Sequence, residues 1–241
     1  YDTPGEAGRT VHESIFNMAD GRYRCASTQQ GYSPFSTWTR GLAWALCGYP
    51  EQLEFFQTLA EGEFEGIGDR GQIVSVFRRA AEATAEWYIG HSFTDGMVYW
   101  DAGAPGIPRD VDYAGSASDP HNDHEPIDSS AAAIAGQGLL RLSNYLAAAG
   151  EKAPADRYLQ AACVIAGTLF DEPYLSTDEK HQGLILHSVY HRPNGWDHVP
   201  AGQAVPCGES SMWGDYHALE LAILLKRRIE GGAYVTFFDR D

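Results

Sequence analysis

The chain reads as an all-α protein built from stacked helical hairpins. Three observations predict this. Apolar residues recur at helical spacing in several long runs. Short turns join these runs on one side, while long loops rich in aromatic and acidic residues join them on the other. One run, Ala131-Ala-Ala-Ile-Ala-Gly-Gln-Gly138, consists mostly of small residues and implies tight contact between helices.

Taken in order, residues 8–27 predict a β-hairpin. Thr10 to Phe16 alternates loosely, Asp20-Gly21 marks a turn, and Arg22 to Cys25 returns. A helix follows over 37–60, with Ser36 or Thr37 as its N-cap and a break near Pro50. Residues 61–71, rich in Gly and Glu, form a solvated connection. Ile73, Val76, Phe77, Ala80, Ala83, Trp87 and Tyr88 then predict a helix over 72–90. After the Thr94-Asp95-Gly96 turn, residues 102–127 are rich in Gly, Pro, Asp and Asn. So long an unpatterned loop is either functional or poorly ordered. Asp128 or Ser129 caps a helix over 129–149 that ends at Gly150. Ala155, Tyr158, Leu159, Ala162, Ile165, Ala166, Leu169 and Phe170 give the cleanest helical period in the chain. Residues 184–190 are extended and 191–208 form a loop. The last helix spans 210–228, with Trp213, Tyr216, Leu219 and Ile223 on one side.

With 241 residues, 44% hydrophobic and 21% charged, the chain can bury a sizeable core as one large domain or two small ones. No apolar run approaches the roughly 18–20 residues of a membrane span. A net charge of −16 argues against nucleic acid and anionic membranes as partners. Any anionic substrate therefore depends on a local basic pocket. Cys25, Cys47, Cys163 and Cys207 are widely spaced, with no C-x-x-C pair; Cys47 and Cys163 fall on helix faces as small buried hydrophobes. Compartment and oligomeric state stay open. The start Tyr1-Asp2-Thr3 has neither an initiator Met nor a signal peptide, which predicts a processed chain or part of a longer one.

The chemistry concentrates between Gln30 and Trp44. Trp38, Arg40 and Trp44 fall in the first two turns of the predicted helix, with Gly41 leaving room for close approach. A guanidinium beside aromatic faces suits a carboxylated sugar, the fork gripping the carboxylate and the rings stacking on the pyranose. The same spacing also fits an Arg packed over two half-buried Trp residues without a ligand. His121-Asn-Asp-His-Glu125 gathers metal-capable side chains, but in a loop before Pro126, and reads as a solvated loop rather than a metal site. The carboxylates Asp95, Asp101, Asp128, Glu209 and Asp215 lie near loop mouths. Asp128 reads as a cap and Asp215 favours a helix N-terminus. No two of them stand out as the pair that ordinary glycoside hydrolysis needs. His187 and His191, either side of Tyr190, read as loop packing.

Five ordered segments resemble one family. Gln30-Gly31 followed by Ser36-Thr-Trp-Thr-Arg-Gly-Leu-Ala-Trp44 resembles the signature of glycoside hydrolase family 88, the unsaturated glucuronyl hydrolases. So do Asp95-Gly-Met-Val-Tyr-Trp-Asp101, Asp128-Ser-Ser-Ala-Ala-Ala-Ile134, Leu184 to His191, and Ser211-Met-Trp-Gly-Asp-Tyr216. The resemblance implies an (α/α)6 barrel of six helical hairpins and no cofactor or metal. It implies a soluble bacterial enzyme, cytoplasmic or periplasmic. That enzyme removes 4,5-unsaturated uronic acid from the non-reducing end of lyase products by hydrating the vinyl ether. His12 and Gln30 would contact the uronate and water, Trp38, Trp44 and Tyr190 would form walls, and Arg40 would lie near the sugar. The family's two catalytic aspartates lie upstream of the position matched by His12 and have no counterpart here. With about five long helices, residues 1–241 are expected to be the C-terminal part of a longer barrel, as a single domain. The Ser36–Trp44 wording favours this family over the unsaturated rhamnogalacturonyl hydrolases. A protein that binds uronyl sugars without turnover is the rival from another class.

Overall fold

In a computed structural model, which describes residues 6–238, two β-strands precede five α-helices. Strands β1 (Glu13–Phe16) and β2 (Tyr23–Ser27) pair antiparallel, with Glu13 opposite Ser27. The helices are α1 (Thr39–Thr58), α2 (Arg70–Gly90), α3 (Ser129–Ala148), α4 (Lys152–Leu169) and α5 (Met212–Ile229). The hairpin and each helical run read from the sequence are present, with ends that agree to within a turn.

The start of α1 differs from expectation. Its N-cap is Trp38, without a side-chain cap bond. Ser36 Oγ instead donates to Asp101 Oδ2 at 2.9 Å, and the Thr37 carbonyl accepts from the Ala102 amide at 2.9 Å. A long-range bond to a buried carboxylate has displaced the local cap. Nor does α1 break at Pro50. The proline removes one helical hydrogen bond, but Leu46 and Leu53 on either side are fully buried, and packing holds the axis.

Helix α3 is the centre of the molecule. Nearly all of it is buried, and it packs against α1, α4 and α5. Helix α2 lies on α1, so α1, α3 and α5 form one layer, with α2 and α4 behind it. Leu42, Leu46, Ile134, Leu139, Leu142, Ile165 and Leu221 fill the space between. The small-residue stretch earns its position through Gly138, where a Cβ would meet Leu46 Cδ2 at 2.5 Å and the Cys47 backbone at 2.7 Å. A buried guanidinium ties the layer together along α3. Arg141 of α3 donates to Glu54 of α1 at 2.9 Å, to Glu220 of α5 at 3.4 Å and to the Tyr234 hydroxyl at 3.2 Å.

Two burial expectations are corrected. Helix α5 buries Gly214, Ala218, Leu221 and Leu224 against the layer, while Tyr216, Leu219 and Ile223 stay exposed. It has α3 on one flank, and no described element covers the other. Cys163 is also exposed, on the outer side of α4, and the four cysteines are free. The 102–127 loop is anchored rather than loose: Trp100 Nε1 donates to Glu125 at 2.8 Å, and Ser118 binds Asp95 through both its amide and its hydroxyl.

Helix packing at Gly138 gives a direct test. Gly138→Ala forces the α1 backbone away and should cost about 1–3 kcal/mol in urea unfolding. Gly167→Ala, in open space on α4, should instead stabilise by about 0.5–1 kcal/mol. Equal effects at the two positions would contradict the close contact of α1 and α3.

Candidate functional site

Asp101 fastens the Gln30–Trp44 stretch to the neighbouring chain. Its buried carboxylate accepts from the Tyr32 amide at 2.8 Å, Ser36 Oγ at 2.9 Å and the Gly103 amide at 2.8 Å. Burial pushes its pKa up, and these bonds oppose that push. The Thr39 amide donates to the Trp100 carbonyl at 3.1 Å, fixing where α1 begins.

Arg40, in the first turn of α1, is only 1% exposed. Nη1 donates to the Val189 carbonyl and lies 3.7 Å from Asp128 Oδ2. Nη2 donates to Gln30 Oε1 at 3.0 Å and to the Tyr190 carbonyl at 2.9 Å. The guanidinium carbon sits 4.9 Å from the Trp38 ring, 5.8 Å from Trp44 and 4.7 Å from Trp213. The aromatic surround expected from the sequence is present. The open fork is not: protein acceptors engage both terminal nitrogens, so the guanidinium faces inward.

Asp128 caps α3 through the Ser130 amide at 3.1 Å, and accepts from Ser130 Oγ at 2.5 Å and the Val189 amide at 3.2 Å. Burial is the largest influence on both members of the pair. It raises the pKa of Asp128 and lowers that of Arg40, with their mutual attraction opposing each shift.

Arg40 orients its neighbours. Because Gln30 Oε1 accepts from Nη2, the amide NH2 of Gln30 is left to donate elsewhere. His12 Nδ1 accepts from the Gln29 amide at 3.1 Å and the Gln30 amide at 3.3 Å, and lies 3.1 Å from Thr28 Oγ1. An accepting Nδ1 places the ring proton on Nε2. Burial lowers the His12 pKa, which keeps the ring neutral at pH 7 with Nε2–H as a donor. Its ring packs on Trp38 at 4.5 Å, and Trp38 meets Trp44 edge to face at 5.7 Å. His12, Gln30, Trp38, Arg40 and Trp44 therefore form one cluster. Trp44, 41% exposed, presents that cluster to solvent.

Tyr190 extends the aromatic surface. Its ring lies 5.6 Å from both Trp196 and Trp213, beside a cavity of about 510 Å3 that also takes in Asp197 and Glu209. Trp213 Nε1 donates to Ser130 Oγ at 3.1 Å, which joins α5 to the capped start of α3. Sequence reasoning did not assign Trp213, Trp196 or Ser130 to the site. Trp213 follows the Ser211 cap within the first turn of α5, the place that Trp38 and Arg40 hold on α1; that parallel was the available signal. Trp196 had no local signal. It sits in a loop folded back by Asp197, which accepts from the Tyr190 and His191 amides.

Other expectations divide. Asp215 accepts from the Leu184 and Ile185 amides at 3.0 Å, and Asp95 is held by Ser118, so both are structural. Glu209 is the exposed carboxylate of the five. His191 is buried against Trp196 at 4.8 Å, as loop packing predicts.

The Arg40–Asp128 pair carries a measurable prediction. Asp128→Asn keeps a capping side chain but leaves the guanidinium unpaired, and should destabilise by about 3–5 kcal/mol in urea unfolding. Arg157→Ala, which breaks the exposed 2.7 Å pair with Glu86, should cost less than about 1 kcal/mol. A small loss for Asp128→Asn would show that the pair does not hold the site.

No protein-family model matches this chain. Known proteins do. The unsaturated glucuronyl hydrolase of Bacillus sp. (strain GL1) is 26% identical over 93% of this chain and 48% of its own length. That of Formosa agariphila is 28% identical over 90% of this chain and 42% of its own. The crystal structure of the unsaturated glucuronyl hydrolase from Bacillus sp. GL1, described as responsible for the degradation of glycosaminoglycan, superposes with a TM-score of 0.68 at 25% identity. The match covers 98% of this chain and 51% of that one. A second structure, with the saccharide dGlcA-Glc-Rha-Glc, gives the same TM-score, identity and coverage. The chain spans about half the length of the relatives it matches. Its five helices in two layers are an incomplete (α/α)6 barrel among the described residues. In sequence and in fold, the chain is similar to the unsaturated glucuronyl hydrolases over about half of their length.

Proposed function

We propose that this chain supplies the uronate-holding wall of a hydrolase. That enzyme removes 4,5-unsaturated uronic acid from the non-reducing end of lyase-generated oligosaccharides. The observation that carries this reading is a pair of neutral donors in the cluster around a buried cation: Gln30 NH2, whose amide oxygen Arg40 holds, and His12 Nε2–H, whose tautomer two backbone amides set. A carboxylate bound there accepts hydrogen bonds from neutral groups and feels the guanidinium behind them, in surroundings that weaken screening. Trp44, with Trp38 beneath it, offers an aromatic wall to the ring. Tyr190, Trp196 and Trp213 continue that wall toward the next sugar.

The reaction is addition of water across the C4–C5 double bond. A proton goes to C4 and hydroxide to C5, and the resulting hemiketal opens and releases the sugar alcohol. It needs one acid to deliver the proton and orient the water. Asp101 is closed off by its own hydrogen bonds and Asp128 is fully buried beside Arg40, so this reading assigns the acid to residues outside these 241. The names of the relatives support the substrate class, and the charge arrangement supports a carboxylated sugar rather than a neutral one.

The full-length gene product should bleach the near-ultraviolet absorbance of an unsaturated uronyl disaccharide. In that protein, His12→Ala and Trp44→Ala should each lower kcat/KM by roughly tenfold or more, about 1.4 kcal/mol of transition-state stabilisation. Phe35→Ala, at an exposed position outside the cluster, should leave it unchanged. Saturable binding with no loss of absorbance would replace the enzyme with a uronate-binding protein. Turnover confined to rhamnogalacturonan products would move it to the neighbouring specificity.

A further inference from the structure

The metal-capable loop His121–Glu125 is dispersed by the fold. His124 Nε2 meets the Tyr99 hydroxyl at 2.8 Å, and Glu125 accepts from Trp100 Nε1 and the Gly106 amide. Asn122 accepts from two backbone amides of its own loop. His121 alone joins a different company. Its ring meets that of His187 edge-on at 5.0 Å, and one ligand atom each from His121, His187 and Cys207 lie within 4.8 Å of one another.

Three features suit this trio to a metal. His187 Nε2 lies 3.1 Å from the Pro173 carbonyl, so that nitrogen carries the proton and Nδ1 keeps its lone pair. Metal-bound imidazoles are commonly fixed in this way, with the far nitrogen donating to a carbonyl. The lone pair accepts from the Gly208 amide at 3.1 Å, beside Cys207, a hydrogen bond that a metal bond would replace. Among the described residues, His187 is also the one non-glycine with positive φ, at 67°. Such strain persists where surrounding structure holds a side chain in a required direction. Finally, Cys207 is a free thiol buried next to that ring.

We propose that His121, His187 and Cys207 bind a zinc ion, with water as the fourth ligand, and that the ion fastens the 119–125 loop to the segment carrying Val189 and Tyr190. Two imidazoles and a thiolate are a borderline-soft donor set of the kind zinc prefers. Metal bonds of about 2.0–2.3 Å put tetrahedral ligand atoms about 3.3–3.8 Å apart. The three ligand atoms, within 4.8 Å of one another, close to that spacing as the ion binds, with the exposed His121 ring turning inward. The Cys207 thiol gives its proton to solvent as the sulfur–zinc bond forms. The site is separate from the uronate cluster, and the inference does not rest on the proposed activity. Its effect on that cluster is positional, because residues 189 and 190 carry the carbonyls that hold Arg40.

The test is metal titration of chelator-stripped protein in a Cys25→Ser/Cys163→Ser background, which removes the exposed thiols. Zinc should bind one per chain against a chromophoric chelator and raise the melting temperature. Cobalt(II) should give a sulfur-to-metal charge-transfer band in the near ultraviolet. Cys207→Ser should abolish the band, and His121→Ala, at an exposed position that leaves the core intact, should weaken zinc binding at least tenfold. His124→Ala should leave it unaltered. Absence of the cobalt band in protein with Cys207 intact, or zinc affinity unchanged by His121→Ala, would overturn the proposal.

Discussion

One buried guanidinium holds the loop end of this molecule together. Arg40 leaves water almost completely, and a buried ion is tolerated only when partners replace its hydration. Asp128, two loop carbonyls and the Gln30 amide oxygen supply them. Those partners come from the start of α3, the 187–191 segment and the stretch before α1. Any rearrangement of one segment strips a hydrogen bond from a buried charge. The site is therefore rigid for an electrostatic reason, although most of it is loop.

The inward turn of Arg40 changes what the cluster offers a ligand. A fork open to solvent would bind any carboxylate or phosphate. An enclosed fork instead fixes the hydrogen-bonding direction of Gln30 and lends its charge through a neutral layer. His12 behaves in the same way: two backbone amides set its tautomer, leaving Nε2–H as its donor. Further along α3, Arg141 repeats the arrangement among Glu51, Glu54 and Glu220. The inner layer is thus fastened at two levels by buried Arg residues, one held mainly by loop acceptors and the other by carboxylates of α1 and α5.

The helices were legible because their apolar periods are local. Leu159 and Ile165 announce α4 without reference to any other segment. The hairpin was legible from Asp20-Gly21 for the same reason. What failed depended on distant partners. Ser36 looks like a cap until Asp101, far along the chain, takes its hydroxyl. Tyr216, Leu219 and Ile223 look like a core stripe, but α5 turns its smaller residues, Gly214 and Ala218, toward α3. The membership of the site was legible through Trp38, Arg40 and Trp44, which share two helical turns. The direction of the guanidinium was not, because the Val189 and Tyr190 carbonyls that turn it inward belong to a loop with no pattern of its own. His121 pairs with His187 and Cys207 rather than with its neighbour His124, and spacing within one loop could not reveal that.

The most direct test of this account is the NMR spectrum of the arginine side chains in the folded chain. Held by separate acceptors inside the protein, the four terminal hydrogens of Arg40 should give distinct signals, slow in exchange with water and lost together in Arg40→Lys. A single averaged, rapidly exchanging signal would mean that the guanidinium rotates in solvent, and the site would then lack the fixed centre on which its other residues depend.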